Sequence, residues 1–238
     1  MDALALVKRT ITAESYTMST IYEPPLTPTP ANVPASGLRE GLTPAKREQI
    51  LAGAMTIFMR EGFTATSMEL IAKESGVSKG TLYNHFDSKE ALFSTIIERE
   101  CGVILGRVFD LDRAVGTPEE VLMKVGMGFM MSVLNPHAMS VYRNLMAEST
   151  RFPELGRLFM QSGHQPGSQA LGRYLRRLAN DGVLSLQEDE VHAAYQFIAL
   201  CDAGLVEQAH MQGVQPTPQQ VQAQVASAVR VFLKGYAA

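Results

Sequence analysis

The chain has 238 residues, of which 46% are hydrophobic, so it can bury the core of one large domain or two modest ones. Its 21 basic and 24 acidic side chains give a formal net charge of −3. The overall basic character of many nucleic-acid-binding proteins is absent, so such a function would need a local arrangement of residues. The N-terminus lacks a signal-peptide pattern and no apolar stretch is long enough for a bilayer. We therefore expect a cytoplasmic protein with no membrane partner.

Five of the 12 prolines lie within residues 1–41, where the sequence EPPLTPTPANVPASG excludes a helix interior or a central strand. We predict that residues 1–41 form a disordered tail. This tail could recruit a partner. The alternatives are a dispensable extension, or a true translation start at Met18.

After residue 42 the chain divides into segments of helical length. Four of them open with a capping side chain followed by proline, whose missing N–H costs nothing at the first helical position. These pairs are Thr43-Pro44, Thr117-Pro118, Asn135-Pro136 and Thr217-Pro218. The spacing of a capping box occurs at Thr117/Glu120, Thr217/Gln220, Thr66/Glu69 and Asp87/Glu90.

The pattern predicts an all-α protein, because no hairpin sequence lies between alternating apolar runs. We place helices at residues 43–61, 67–74, 78–84, 88–111, 118–134, 136–149, 153–163, 167–181, 188–211 and 217–235.

The residue types that carry enzyme chemistry show no catalytic pattern. Cys101 and Cys201 lie far apart without histidines at ligand spacing, which argues against a zinc site or a disulfide scaffold. We expect two buried thiols, with redox sensing as the alternative. The five histidines have no metal-binding spacing, and neither a nucleophile motif nor a glycine-rich phosphate loop occurs. We predict no catalytic residues, no metal and no cofactor.

Two short helices joined at Gly76 form a helix-turn-helix pattern. The small side chain of Ala72 lets these helices cross closely, and Gly76 can adopt the positive φ that the turn needs. Val77 and Leu82 anchor the second of these helices to the core. With Leu82 inward, the outer face of this helix carries Lys79, Gly80, Thr81, Tyr83, Asn84 and His85.

This polar outer face suits a DNA duplex. Gly80 removes bulk near a base edge, to which Thr81 can bond. Asn84 can bond to an adenine edge or to a phosphate. The side chains expected to reach phosphates are Lys79, Tyr83, His85 and Lys89, with the hydroxyls of Thr66 and Ser67. Residues 41–100 carry seven basic and eight acidic side chains, so a solvated helical corner is the alternative.

The segment from Thr43 to Ile97 resembles the DNA-binding domain of TetR-family transcriptional regulators. The shared motifs include Gly62-Phe63, Ile71-Ala72, Gly76-Val77-Ser78, Gly80-Thr81-Leu82-Tyr83, His85-Phe86 and Ser88-Lys89-Glu90-Ala91-Leu92. The resemblance implies that residues 79–85 form a recognition helix and that Lys89 contacts the DNA backbone. It also implies a double-stranded, palindromic operator as the partner.

The segment from Arg143 to Gly163 is similar to the C-terminal domain of the AefR-like branch of this family. The similarity implies an all-helical ligand-binding and dimerisation domain. We expect a tail over residues 1–41, a three-helix helix-turn-helix domain over residues 42–90, and the effector and dimerisation domain over residues 91–238.

Two apolar stripes near the C-terminus predict a homodimer. Residues of the last helix form one stripe with nothing downstream to cover it, and small residues in the preceding helix allow close approach. The predicted interface consists of Ile198, Cys201, Leu205, Val221, Val225, Val229 and Phe232. The alternative is that these stripes pack only within one subunit. A twofold dimer would present its recognition helices to half-sites about 34 Å apart.

A methionine stripe between residues 123 and 131 suits either an ordinary core or an adaptable ligand pocket. The candidate ligand-binding residues are Met127, Met131, Tyr142, Met146, His164, Tyr174 and Phe197. For them we expect a small hydrophobic or aromatic effector. Four arginines, at positions 143, 173, 176 and 177, could instead bind an anionic effector, although a solvated basic face is the simpler account.

The sequence therefore predicts a DNA-binding transcriptional regulator, and specifically a homodimeric repressor that a small molecule releases from its operator. The alternative is a ligand-independent DNA-binding or assembly protein whose N-terminal tail recruits a partner.

Overall fold

The computed structural model describes residues 43–187 and 189–238, and the tail predicted over residues 1–41 lies outside them. The described chain is all-α, as predicted, with only an isolated bridge between Leu184 and Ala237. Its helices are α1 (Pro44–Ala65), α2 (Met68–Glu74), α3 (Lys79–His85), α4 (Lys89–Val108), α5 (Pro118–Val133), α6 (Pro136–Glu148), α7 (Pro153–Phe159), α8 (Gln165–Asn180), α9 (Glu190–Asp202), α10 (Leu205–Gln212) and α11 (Pro218–Gly235). A π-helical turn at Met160–His164 joins α7 to α8. Among the described helices, none is long and apolar enough to cross a membrane.

The predicted helix starts are largely confirmed. The capping oxygen of each Thr-Pro or Asn-Pro pair accepts a backbone N–H at the start of α1, α5, α6 or α11. The capping boxes of α5 and α11 are formed. The boxes predicted at Thr66 and Asp87 are wrong by one residue, because Ser67 and Ser88 cap α2 and α4. The Thr66 hydroxyl instead donates to Gly62 O at 2.6 Å.

The helix predicted over residues 188–211 is divided into α9 and α10. Ala203 (φ 40°) and Gly204 (φ 85°) both adopt the left-handed conformation, which interrupts a right-handed helix. Asp202 stabilises the restart, because its Oδ1 accepts the Val206 N–H at 2.9 Å. The helices predicted at 153–163 and 167–181 are continuous through the π-helical turn, so the break expected between them is absent from the described chain.

Two hydrophobic clusters hold the helices together. The first lies among α1–α4 and includes Val141 and Leu145 of α6 and Leu155 of α7. The second lies among the end of α4, α5 and the helices from α8 to α11. We call α1–α3 the helix-turn-helix unit and α5–α11 the C-terminal helices. The helix-turn-helix unit thus shares its core with two of the C-terminal helices and is not packed separately.

The turn between α2 and α3 is built against α1. Gln49 donates through Nε2 to the carbonyl oxygen of Ser75 at 2.6 Å. Gly76 has a φ of 61°, the positive value predicted for the turn. Gly53 lies so close to the turn that an added Cβ would come within 2.8 Å of Ser75 Cα and 2.9 Å of Ser75 N. The absence of a side chain at Gly53 therefore lets α1 support the turn.

Substitution of Gly53 by alanine should destabilise the fold by about 1–3 kcal/mol, because the methyl group meets backbone atoms that cannot easily move. The matched control is Gly102→Ala in α4, where an added Cβ would meet nothing within 4 Å. That change should stabilise the protein by about 0.5–1 kcal/mol. Urea denaturation of the two variants measures the difference, and equal midpoints would contradict the packing argument.

Candidate nucleic-acid interface

Helix α3 presents a polar surface because its apolar residues point inward. Leu82 is fully buried, and Phe86 at the end of the helix is also buried. The predicted DNA-contacting residues of α3 that are exposed are Lys79, Gly80, Tyr83 and Asn84, while Thr81 and His85 are half-buried. Ser78 caps the helix by accepting the Thr81 N–H at 3.0 Å. The exposed set offers an ammonium, a phenol and an amide, groups that bond to phosphates and base edges.

Lys79 forms an ion pair with Glu69 of α2 across the helix-turn-helix unit, and both side chains are exposed. The hydrogen bond raises the pKa of Lys79 and lowers the pKa of Glu69. The net charge of this pair is zero, so Lys79 must leave Glu69 to neutralise a phosphate. Sequence reasoning counted the charges but did not detect this pairing.

Thr66 and Ser67 occupy the connection between α1 and α2. Thr66 is buried, with its hydroxyl already donated to Gly62 O. Ser67 is half-buried and its Oγ accepts the Leu70 N–H at 3.3 Å, which caps α2. Of these two predicted phosphate contacts, Ser67 is the less buried, and its hydroxyl hydrogen-bonds to the Glu69 side chain, which helps to lower the pKa of Glu69.

Lys89, at the start of α4, points toward the end of α1. Its Nζ donates to the carbonyl oxygens of Phe63 at 2.8 Å, Thr66 at 3.1 Å and Thr64 at 3.2 Å. The same ammonium lies 4.5 Å from the centroid of the Phe63 ring. An ammonium has three N–H donors, so these three carbonyls match its full capacity. This geometry differs from the DNA-backbone contact that the family resemblance implied for Lys89.

The segment that receives Lys89 is a kink at residues 62–66, which we call the 62–66 kink. Gly62 has φ 78° and ψ 169°, so the regular helix ends after Glu61, as predicted. Asn144 of α6 contacts the kink from the other side, with Oδ1 accepting the Phe63 N–H at 2.7 Å. Glu148 of α6 is buried and accepts a hydrogen bond from the Thr64 hydroxyl. Nothing in the sequence pointed to Asn144 or Glu148, which lie about 80 residues further along the chain.

The structure distributes the seven candidate ligand-binding residues over different places. Four of them pack in the second hydrophobic cluster. Of these four, Met131 is half-buried, and the buried ones are Met127, Tyr174 and Phe197. His164 is exposed and lies beside Tyr195, with ring centroids 5.0 Å apart. Tyr142 and Met146 are 38% and 57% exposed on α6. The four residues in the second hydrophobic cluster therefore belong to the core of this chain.

Five of the seven predicted interface residues fill the interior of a single chain, and these are Cys201, Val221, Val225, Val229 and Phe232. An added Cβ on Gly126 of α5 would come within 2.6 Å of Val225 Cγ1 and 3.0 Å of Cys201 Sγ. A partner could not reach these five without opening that core, so their assignment to an interface is corrected. Ile198 and Leu205 are half-buried and stay candidates.

Both cysteines are free and buried, as predicted. Burial raises the pKa of each thiol to about 12, so both are neutral near pH 7 and chemically quiet. Within the described ranges, no group of three or more His, Cys, Asp or Glu side chains is placed to hold a metal ion.

Two family models match the chain. The model described as "Bacterial regulatory proteins, tetR family" matches residues 50–96, which contain α2, α3 and most of α1. The model described as "AefR-like transcriptional repressor, C-terminal domain" matches residues 120–238. The chain belongs to the TetR family. It is therefore a DNA-binding transcriptional regulator and not an enzyme, as the sequence predicted.

Individual relatives of this TetR-family chain agree with the assignment. The regulator UidR of Escherichia coli K12 is 28% identical over 139 residues, which are 58% of this chain and 69% of UidR. The regulator YerO of Bacillus subtilis 168 is 40% identical over 81 residues, but these cover only 33% of this chain and 28% of YerO. The solved structure of the "Flavonoid-responsive Regulator FrrA" has a TM-score of 0.67 and 30% identity, covering 82% of this chain and 98% of FrrA.

Proposed function

We propose that this TetR-family regulator is a homodimeric repressor that binds a palindromic operator and leaves it when a small apolar molecule binds the C-terminal helices. The observation that carries the proposal is the two-sided character of α3. Its inner side is fixed by buried Leu82 and Phe86, and its outer side presents Lys79, Tyr83 and Asn84. The C-terminal family model is that of a repressor, which supports repression over activation.

Each exposed group of α3 has a chemically defined role in this proposal. Tyr83 and Asn84 contact phosphates or base edges in the major groove. Lys79 exchanges its Glu69 partner for a phosphate, so the pair limits the gain in charge neutralisation on DNA. Ser67, which precedes α2, contacts a phosphate in this proposal.

Substitution of Tyr83 by alanine should weaken operator binding about tenfold or more, by removing a contact worth about 1–3 kcal/mol. The fold should be retained because Tyr83 is 39% exposed. The control is Met211→Ala, a change at a 78% exposed apolar residue of α10. Fluorescence anisotropy with a duplex selected from a random-sequence library by the wild-type protein measures both variants.

One outcome of the selection and one outcome of the affinity measurement would count against the proposal. Wild-type protein that enriches no duplex would contradict sequence-specific DNA binding. Equal affinities of the Tyr83→Ala and Met211→Ala variants would contradict the assignment of α3 as the recognition helix.

Dimerisation is proposed through the outer faces of α9 and α11. These helices pack against each other through Phe197 and Phe232, whose ring centroids are 5.3 Å apart, and through Gln224 Nε2, which donates to Leu200 O at 2.7 Å. Their outer residues at helical spacing include the exposed Ala199 on α9 and, on α11, Ala223 and Val231. Small and apolar residues on an outer face let a second copy approach closely, and a twofold dimer matches a palindromic operator.

The proposed effector is a small aromatic molecule. FrrA, a regulator named for its response to flavonoids, is similar in fold and sequence over 82% of this chain. The C-terminal helices place aromatic rings in pairs, Tyr142 beside Phe159 at 5.9 Å and His164 beside Tyr195 at 5.0 Å between centroids. Partial desolvation lowers the pKa of His164, which favours its neutral form, and a neutral imidazole suits an uncharged aromatic ligand.

A thermal-shift screen with flavonoids and other small phenols should raise the melting temperature, since a ligand that binds only the folded state stabilises it. At a ligand concentration about 100 times the dissociation constant, the gain is about 2.7 kcal/mol. The matched control is a set of aliphatic acids at the same concentrations. A shift with the acids alone would favour the anionic site, and no shift with any compound would favour the ligand-independent alternative.

A further inference from the structure

The 62–66 kink ends one residue before the cap of α2, and α2 and α3 are the two short helices that flank the Gly76 turn. Thr66 ends α1 and Ser67 caps α2, so α2 has no linker that could absorb a movement of the kink. The backbone direction at residues 62–66 therefore sets the direction of α2. Through the Gly76 turn it also sets the direction of α3.

Lys89 satisfies the carbonyl end of this kink. The last carbonyls of a helix lack intrahelical partners and carry partial negative charge. The Lys89 ammonium supplies a positive charge and three donors to the Phe63, Thr64 and Thr66 carbonyls. Because Lys89 is the first residue of α4, these bonds tie the kink to the long helix that leads into the C-terminal half.

Asn144 satisfies the donor side of the same kink. Its Oδ1 accepts the Phe63 N–H at 2.7 Å, and its Nδ2 donates to Phe58 O at 3.3 Å and to Ser140 O at 2.9 Å. Phe63 is thus held through its N–H by α6 and through its carbonyl by α4. The bond from Thr64 to buried Glu148 adds a second link to α6.

We propose that Lys89 and Asn144 are positioning residues for DNA binding, which fix the direction of the helix-turn-helix unit by holding the 62–66 kink between α4 and α6. The inference rests on the proposed operator binding. Lys89 then acts through the protein backbone and not through a DNA phosphate. Asn144 acts on operator affinity from a helix outside the helix-turn-helix unit.

The salt dependence of DNA binding distinguishes a positioning lysine from a phosphate-binding lysine. Each neutralised phosphate contributes about −0.9 to the slope of log K against log salt concentration. Lys89→Met should lower operator affinity about tenfold and leave this slope unchanged. The control is Lys79→Met, at the exposed lysine of α3, which should make the slope less negative by about 0.9.

The Lys89→Arg variant gives a second test of whether Lys89 positions the backbone or binds a phosphate. Lys89→Arg keeps the positive charge, and a guanidinium binds phosphate at least as well as an ammonium. Its planar donors cannot converge on three carbonyls as an ammonium does. The affinity of Lys89→Arg should therefore fall with that of Lys89→Met. Asn144→Ala should also lose affinity at an unchanged slope, and it carries the test if the Lys89 variants do not fold.

The outcomes are distinct. A Lys89→Met slope that is less negative by about 0.9, together with wild-type affinity for Lys89→Arg, would identify Lys89 as a phosphate contact and overturn the inference. Wild-type operator affinity in Asn144→Ala would overturn the role of α6. Wild-type protein that binds no selected duplex would instead reject the proposed function.

Discussion

The structure depends on how the end of α1 is satisfied. A helix that stops inside a protein leaves backbone carbonyls and N–H groups without partners, and their burial costs free energy unless side chains bond to them. Here Gly62 turns the chain with a φ of 78°, Lys89 takes three carbonyls and Asn144 takes the Phe63 N–H. Because these side chains come from α4 and α6, one backbone requirement joins three parts of the molecule.

Aromatic packing also holds the end of α1 in place. The Phe63 ring lies at centroid distances of 5.6 Å from Phe58, 5.1 Å from Phe93 and 5.8 Å from Phe152. Phe152 follows α6, so aromatic contacts and hydrogen bonds cross between the helix-turn-helix unit and the C-terminal helices at one place. A rearrangement of α6 would therefore reach α2 and α3 through packed and bonded neighbours, and no flexible linker intervenes.

Local sequence signals predicted much of this arrangement because they report local physics. Proline after a capping residue gave the starts of four helices, and the inward position of Leu82 gave the exposed side of α3. Long-range partners left no such signal. The contacts of Asn144 and Lys89 form only in the tertiary structure. Ala203 adopts a left-handed conformation that alanine does not favour, so the sequence does not predict the break between α9 and α10.

The apolar stripe of α11 shows a different limit. Helical periodicity predicts that Val221, Val225 and Phe232 are buried, and they are. Periodicity does not show whether the buried stripe packs against the same chain or against a second copy. Gly126 of α5 lies so close to Val225 that this side of α11 packs within the chain, and the proposed dimer must use the opposite, exposed side of α11.

Spin-label distance measurement on the Lys73→Cys variant tests the central claim most directly. Lys73 is exposed on α2, which follows residues 62–66, and the native thiols are buried with pKa values of about 12, so they stay unlabelled. The account predicts one narrow distance between the two labels of a dimer, and a broadened distribution when Asn144→Ala is added. An absent dipolar signal would contradict the dimer. An unchanged distribution in the double variant would contradict the claim that contacts at residues 62–66 set the direction of the helix-turn-helix unit.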